Sequence, residues 1–225
     1  MGYILNKKLI TMGFIILAMA VIAKSLFVIA KNIKIDDFHK EAVIFVIDSS
    51  ASNQEKLSDE IKYVKSLCAV LDPEDAIKII KVSQSSYLIY EGNPGDSVGI
   101  GKAIEAFANN KKYNYTSYGE ALKKAMNYCL AMKKEGYRPS VVVIGDLKNE
   151  GILEKQLNWE TLPQNIKNIQ KHIPELAMMF VYAGPEKLDL VKTKLSPILG
   201  ETKLVVANEA MLDKSNTRFL KAIGR

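Results

Sequence analysis

Two aspartates and a pair of serines are the residues of this sequence whose chemical nature and positions could form a functional site. The segment FVIDSSAS ends an apolar run with Asp48 and continues with Ser50 and Ser52, and a second apolar run, SVVVIG, is followed directly by Asp146. Carboxylate and hydroxyl oxygens are the ligands that hard divalent cations prefer. The pattern therefore indicates a cation site. The alternative is that Ser50 or Ser52 caps a helix and Asp146 is a turn residue.

Strands and helices are predicted to alternate along most of the chain. The runs AVIFVI and SVVVI are apolar throughout, as expected for strands that are buried on both faces. The predicted strands are 42–47, 76–82, 87–90, 140–144, 176–182 and 203–206, and the predicted helices are 54–71, 98–108, 118–134, 163–172, 186–195 and 216–223. This order predicts an α/β fold with a doubly wound, mostly parallel sheet flanked by helices. Strands 76–82 and 87–90, joined by QSS, are predicted to form a hairpin at the sheet edge.

The predicted sheet brings the two aspartates to one edge. Asp48 and Asp146 each follow a strand that is expected to be central. Ligands of doubly wound sheets bind beyond the carboxyl ends of the strands, where the winding reverses. The two carboxylates are therefore expected to lie close together.

Three segments resemble the von Willebrand factor type A (vWA) family. Residues 48–52, DSSAS, match the family motif D-x-S-x-S, residues 116–122, TSYGEAL, resemble T-x-x-G-x-A-L, and Asp146 corresponds to a later aspartate of the family. The resemblance covers residues 41–223. It implies a vWA or Rossmann-like fold with a metal-ion-dependent adhesion site (MIDAS) formed by Asp48, Ser50, Ser52, Thr116 and Asp146.

The resemblance also implies how this site works. The serines and Thr116 would bind Mg²⁺ or Mn²⁺ directly, the aspartates would act partly through water, and one open position would accept an acidic side chain of a protein partner. In one respect the sequence departs from the family. Many members have glycine after the last aspartate, whereas Leu147 and Lys148 follow Asp146 here. A lysine so close to the site could weaken metal binding.

Enzyme chemistry finds little support in the sequence. A Ser-His-Asp hydrolase needs a positioned histidine, and the two histidines are His39, before the first strand, and His172, at the end of a predicted helix. The segment GDSVGIGK lacks the first glycine of a phosphate-binding loop, and Ala103 replaces its hydroxyl residue. The protein is therefore predicted not to be an enzyme and to have no small-molecule substrate.

The N-terminal segment is predicted to cross a membrane. Leu9–Ala30 is a 22-residue stretch that is apolar except for Thr11, Lys24 and Ser25, and this length suffices for a spanning helix. Residues 1–31 are predicted to be an uncleaved anchor, with a cleaved signal peptide as the alternative. Residues 32–40 would be a connector and 41–225 the vWA-like domain. The protein would thus be a single-pass membrane protein with its soluble domain in the periplasm or outside the cell.

Charge and cysteine content exclude other partners. The net charge is +6, but the first 31 residues contain four lysines and no acid, which leaves 27 basic against 25 acidic side chains in the remainder. A nearly neutral body is a poor surface for phosphates, so no nucleic-acid partner is expected. Cys68 and Cys129 lie in helical patterns without CxxC spacing, which indicates buried thiols rather than a zinc site.

Two functions are compatible with these observations. The first is a membrane-anchored vWA-like module that binds a protein partner through the divalent cation. The second is a metal-independent scaffold subunit of a membrane or envelope assembly. Chelator sensitivity of partner binding distinguishes the two.

Overall fold

A six-stranded sheet lies at the centre of the structure. The structure is a computed structural model that describes residues 39–50, 55–108, 116–148, 152–208 and 212–225. The predicted anchor at residues 1–31, the connector up to residue 38 and Ser52 lie outside the described residues. Among the described helices, none is long and apolar enough to span a bilayer.

The elements alternate as the sequence predicts, and every strand lies within two residues of its predicted bounds. The strands are β1 (Glu41–Asp48), β2 (Ala76–Val82), β3 (Ser86–Gly92), β4 (Arg138–Ile144), β5 (Ala177–Val181) and β6 (Leu204–Ala207), and the helices are α1 (Leu57–Cys68), α2 (Ser97–Ala108), α3 (Tyr118–Lys134), α4 (Leu162–Gln170), α5 (Pro185–Leu199) and α6 (Leu212–Ala222). A short 3₁₀-helix at Leu153–Lys155, which was not predicted, follows β4.

The strand order is β3-β2-β1-β4-β5-β6. All neighbouring strands are parallel except β2 and β3, which form the predicted antiparallel hairpin at the edge. The predicted fold class, a mostly parallel sheet flanked by helices, is therefore confirmed. The order of the strands reverses between β1 and β4, so Asp48 and Asp146 follow the two strands at this switch point.

Each face of the sheet carries its own hydrophobic core. Successive strand residues point to opposite faces, and all eight residues of β1 are buried. Ile44 and Val46 pack on the side of α3, α4 and α5, whereas Val43, Phe45 and Ile47 pack on the side of α1, α2 and α6. The helices on both faces explain why the central strands are apolar without alternation. Cys68 and Cys129 are buried, as predicted.

Helix bounds differ more from the prediction. Helix α5 continues past its predicted end at residue 195, through Pro197, to Leu199. Its residues Leu195 and Leu199 are both buried against the sheet, and this packing overrides the usual cost of an internal proline. Helix α6 begins at Leu212, four residues before its predicted start.

Candidate cation site

Asp48 is the last residue of β1, and its side chain is fully buried. Its Oδ1 accepts a hydrogen bond from the Ser50 backbone N–H at 2.8 Å, and its Oδ2 accepts one from the Tyr118 hydroxyl at 2.9 Å. Burial raises the pKa of Asp48 to about 6, the hydrogen bond from Ser50 opposes this rise, and the charge of Asp146 adds to it. The carboxyl group is therefore mostly ionised at neutral pH.

Asp146 lies at the same edge, one residue beyond Gly145 at the end of β4. Its charge acts on the pKa of Asp48, which is consistent with the predicted proximity of the two carboxylates. Asp146 Oδ1 accepts a hydrogen bond from the Lys148 backbone N–H at 2.9 Å, and Oδ2 lies 3.2 Å from Lys148 Nζ. One residue thus supplies both a backbone donor and a positive charge to this carboxylate.

Gly145 allows β4 to end directly against Asp48. The residue has a φ of +142°, and a Cβ atom placed on it would lie 2.4 Å from Asp48 Cβ and 2.3 Å from the Tyr118 hydroxyl. These distances are far shorter than van der Waals contacts, so a side chain at this position would push the two strand ends apart. The glycine preceding Asp146 is therefore part of the geometry of the site.

Thr116 reaches this edge from the loop before α3, and it is buried. The neighbouring Ser117 fixes its position, because the Ser117 N–H bonds the Ser83 carbonyl at 2.9 Å and the Ser117 hydroxyl bonds the Gln84 carbonyl at 2.7 Å. Ser83 directly follows β2, whose last residue, Val82, pairs with Asp48. The structure thus places Thr116 next to the end of β2, the strand that pairs with β1.

Ser50 is buried beside Asp48, and it is not the N-cap of α1, the next helix that the structure describes. Helix α1 begins at Leu57, and Lys56 occupies its N-cap position. For α1, the capping alternative is therefore wrong for Ser50. The turn alternative is right in part for Asp146, because Asp146 accepts the Lys148 N–H across a turn.

Tyr118 is a site residue that the sequence interpretation missed. Its hydroxyl donates to Asp48 Oδ2 and accepts a hydrogen bond from the Leu147 N–H at 3.3 Å, so it connects the ends of β1 and β4. Burial, together with the charge of Asp48, raises the pKa of Tyr118 well above its usual value, which keeps the phenol protonated as a donor. The signal was an aromatic hydroxyl at a variable position of TSYGEAL, two residues after Thr116.

A cavity of about 690 Å³ opens beside Asp146. It lies between the segments that follow β4 and β5, and its wall includes the first residues of α5. Its lining is rich in lysine and includes Lys56, Asp146, Lys148, Tyr182, Glu186 and Lys187. A partner that approaches Asp146 from this side would therefore meet three lysines and two carboxylates.

The donor set fits a hard divalent cation. Two carboxylates and the hydroxyls of Ser50 and Thr116 are oxygen ligands, which suit Mg²⁺ and Mn²⁺ better than softer metals. In the part of the chain that the structure describes, no three His, Cys, Asp or Glu side chains form a group that could hold a metal ion. The candidate site therefore depends on its hydroxyl groups as well as on its carboxylates.

Residues 43–149 match the model of the von Willebrand factor type A domain family. No curated protein matches the sequence. Three similar solved structures share the fold. The first is a von Willebrand factor type A protein from Catenulispora acidiphila, with 11% identity and a TM-score of 0.58 over 83% of this chain and 43% of that chain. The second is the manganese-loaded TRAP protein of Plasmodium vivax, with 12% identity and a TM-score of 0.58 over 82% of this chain and 74% of that chain. The third is the proximal thread matrix protein 1 of the mussel byssus with a zinc-occupied MIDAS motif, with 15% identity and a TM-score of 0.54 over 82% of this chain and 47% of that chain.

The family match over residues 43–149 and the shared fold both agree with the vWA-like fold that the sequence predicts. This chain spans less than half of the Catenulispora and mussel proteins. Two of the similar structures hold manganese or zinc. At these identities, the similarity establishes the fold alone.

Proposed function

We propose that this chain is a membrane-anchored vWA module that binds a protein partner through a divalent cation. The cation, Mg²⁺ or Mn²⁺, would be held by Asp48, Ser50, Ser52, Thr116 and Asp146. The observation that carries this proposal is that Asp48 and Asp146 follow the two strands at the switch point of the sheet, with Ser50 bonded to Asp48 and Ser117, next to Thr116, bonded to the residue after β2. The metal-loaded structures of similar fold add support.

A cation bound here would offer a coordination position to an acidic side chain of the partner. The residues of this chain would hold the cation and limit its contact with water, because Asp48, Ser50 and Thr116 are all buried. Tyr118 keeps Asp48 oriented through its hydroxyl group. The surrounding loops and the lysine-rich cavity would select the partner by complementary charge.

The absence of catalysis is part of the proposal. His39 lies just before the start of β1, and His172 lies between α4 and the start of β5, so both are near the amino ends of strands. Asp48 and Asp146 lie at the opposite ends of the strands. A nucleophile at the candidate site would therefore have neither histidine as its base.

The membrane location rests on the sequence of residues 1–31. We propose that this segment is the anchor and that the domain lies in the periplasm or outside the cell. Protease treatment of intact cells or spheroplasts should degrade the domain. Protection of the domain, when an external control protein is degraded, would reject this location.

Cation binding is tested by thermal unfolding of the purified full-length chain in detergent during titration with Mg²⁺ or Mn²⁺. A cation that binds only the folded state should stabilise it by about 1.4 kcal/mol for each tenfold increase in concentration above the dissociation constant. Thr116→Val removes one hydroxyl ligand and should reduce this response. Thr217→Val is the matched control, because its hydroxyl bonds the nearby Asp213 carbonyl on the exposed face of helix α6. No response at millimolar cation in the wild type would reject the cation site.

Partner binding is tested by recovering bound proteins from native membranes with and without a chelator. The proposal requires that the chelator release the partner from the wild type. It also requires that Thr116→Val bind the partner weakly and that the chelator have little further effect on this variant.

The second candidate is a scaffold that binds its partner without metal. The ion pair between Asp146 and Lys148 favours it, because it gives one site carboxylate a positive charge without a metal ion. A partner that stays bound in chelator, and binds Thr116→Val equally well, would support this function instead.

A further inference from the structure

We propose that Lys148 is an internal counter-ion of the candidate cation site and sets its affinity for divalent cations. Its ammonium group binds Asp146 when no divalent cation is present, and a cation has to displace it. This inference rests on the proposed cation site. It concerns a residue that lies outside the predicted ligand set.

The contact between Lys148 and Asp146 has two parts. The backbone N–H of Lys148 bonds Asp146 Oδ1 at 2.9 Å, and Nζ lies 3.2 Å from Oδ2. Each oxygen of the carboxylate thus contacts the same residue. A cation that uses Asp146 would compete with the ammonium group and not with the backbone donor, since only the side chain can move away without unfolding the turn.

The backbone before Lys148 explains how it reaches Asp146. Leu147 has a φ of +57°, a left-handed conformation that is uncommon for a residue other than glycine. The Leu147 side chain is buried in the core, and its N–H bonds the Tyr118 hydroxyl at 3.3 Å. These contacts hold the turn in place and direct the chain back over Asp146. The left-handed Leu147 occupies the position where many vWA domains have glycine.

The side chain of Lys148 can move away from Asp146, because 56% of it is exposed. Exposed ion pairs are weak, so the ammonium group can be displaced without loss of the fold. The cavity of about 690 Å³ beside Asp146 gives the displaced side chain room, and Glu186 in its lining offers another carboxylate. Lys148 therefore competes with a divalent cation without blocking the site.

The test is a Mg²⁺ titration of the full-length chain in detergent, followed by thermal unfolding, for the wild type and three variants. Lys148→Gln removes the competing charge and should lower the dissociation constant fitted to the Mg²⁺-dependent stabilisation about two- to fivefold, the range expected for one exposed ion pair. Lys148→Arg keeps a positive charge and should stay near the wild type. Lys187→Gln is the matched control, because it removes the same charge from the lining of the same cavity.

A second measurement follows the displaced ammonium group directly. Acetylation of lysines by a limiting amount of an amine-reactive ester, quantified by mass spectrometry, should increase at Lys148 when Mg²⁺ is added. Lys187 serves as the internal reference. Modification of Lys148 that stays constant or falls would contradict displacement.

The outcomes separate this inference from the proposed function. A normal Mg²⁺ response with the same fitted dissociation constant in the wild type and Lys148→Gln would overturn the role of Lys148 and leave the cation site intact. Equal shifts in Lys148→Gln and Lys187→Gln would show a general charge effect and also overturn this role. If no protein responds, including Lys148→Gln, both the role of Lys148 and the cation site are rejected.

Discussion

The hydroxyl group of Tyr118 donates a 2.9 Å hydrogen bond to Oδ2 of Asp48, and both side chains are fully buried. Tyr118→Phe removes this donor from an ionised, buried carboxylate. We expect the free energy of unfolding to fall by about 2 kcal/mol, the usual range for a hydrogen bond to a charged group. Urea unfolding at pH 7 measures this change.

The control for this prediction is Tyr63→Phe. Tyr63 donates a 2.7 Å hydrogen bond to the neutral amide oxygen of Asn216 in a partly buried position. Its loss should cost about 1 kcal/mol. If Tyr63→Phe destabilises the protein as much as Tyr118→Phe does, the hydrogen bond to Asp48 is no stronger than one to a neutral group.

Gly145→Ala should be one of the most destabilising single substitutions at the site. A Cβ atom at Gly145 would lie 2.4 Å from Asp48 Cβ, and the φ of +142° disfavours any side chain. We expect a loss of more than about 2 kcal/mol in unfolding free energy, because strain and overpacking act together. Gly136→Ala separates the two effects, since Gly136 has a φ of +91° but a Cβ atom added to it would meet nothing within 4 Å. Similar losses for both variants would argue against the steric contact.

Glu120 makes the stability depend on pH in the acid range. Although its partial burial alone would raise the pKa, hydrogen bonds from Lys124, Ser86 and Lys155 lower the pKa of Glu120 to about 2. Because the folded-state pKa lies below the ordinary value of 4.5, the stabilisation is complete above pH 4.5 and is lost as the pH falls towards 2.

Glu120→Gln should therefore lose less stability than the wild type between pH 4.5 and pH 2. Denaturant unfolding at several pH values in this range measures the difference. Glu74→Gln, at an exposed carboxylate that pairs with Lys40, is the control. Parallel pH profiles for the wild type and Glu120→Gln would show that Glu120 does not cause the pH dependence of stability.

Arg225 stabilises the opposite edge of the sheet through Asp75, whose side chain is fully buried. Its Nη2 lies 2.6 Å and 2.8 Å from the two carboxylate oxygens of Asp75, and Asp75 Oδ1 also accepts the Glu41 N–H at 2.7 Å. Arg225→Met leaves a buried carboxylate without its cation and should cost about 3 kcal/mol in thermal or urea unfolding. Arg218→Met, which removes an exposed 3.3 Å hydrogen bond to the Glu201 carbonyl, should cost less than about 0.5 kcal/mol. Equal costs for the two variants would contradict the prediction.

Much of the fold can be predicted from the sequence, because buried strands have to be apolar. Central strands such as β1 and β4 are apolar on both faces, so their runs are visible without a structure. The strand ends at Asp48 and Asp146 follow from these runs, and a parallel sheet places them at one edge. Helix α5 was harder to predict, because its continuation through Pro197 depends on packing with the sheet.

The finer geometry of the site could not be predicted, because it depends on contacts between distant segments. Tyr118 and Asp48 are 70 residues apart in sequence, and the Tyr118 hydroxyl contacts Asp48 only once α3 has packed on the sheet. A lysine near Asp146 was expected to affect the site, but its ammonium contact requires the left-handed backbone of Leu147. Neither the Tyr118–Asp48 contact nor the Leu147 backbone conformation has a sequence signature as clear as an apolar run.

The central position of β1 has a mechanical consequence. This strand is parallel to β2 on one side and to β4 on the other, and it is paired along nearly its whole length. A pulling force between the segment before Glu41 and a partner bound at Asp48 would run along the axis of β1. The covalent backbone of β1 would then carry the load that reaches Asp48, and the hydrogen bonds between β4 and β1 would carry the load that reaches Asp146, in shear rather than one at a time as in peeling. A domain connected in this way should resist extraction under tension better than one that is pulled through an edge strand.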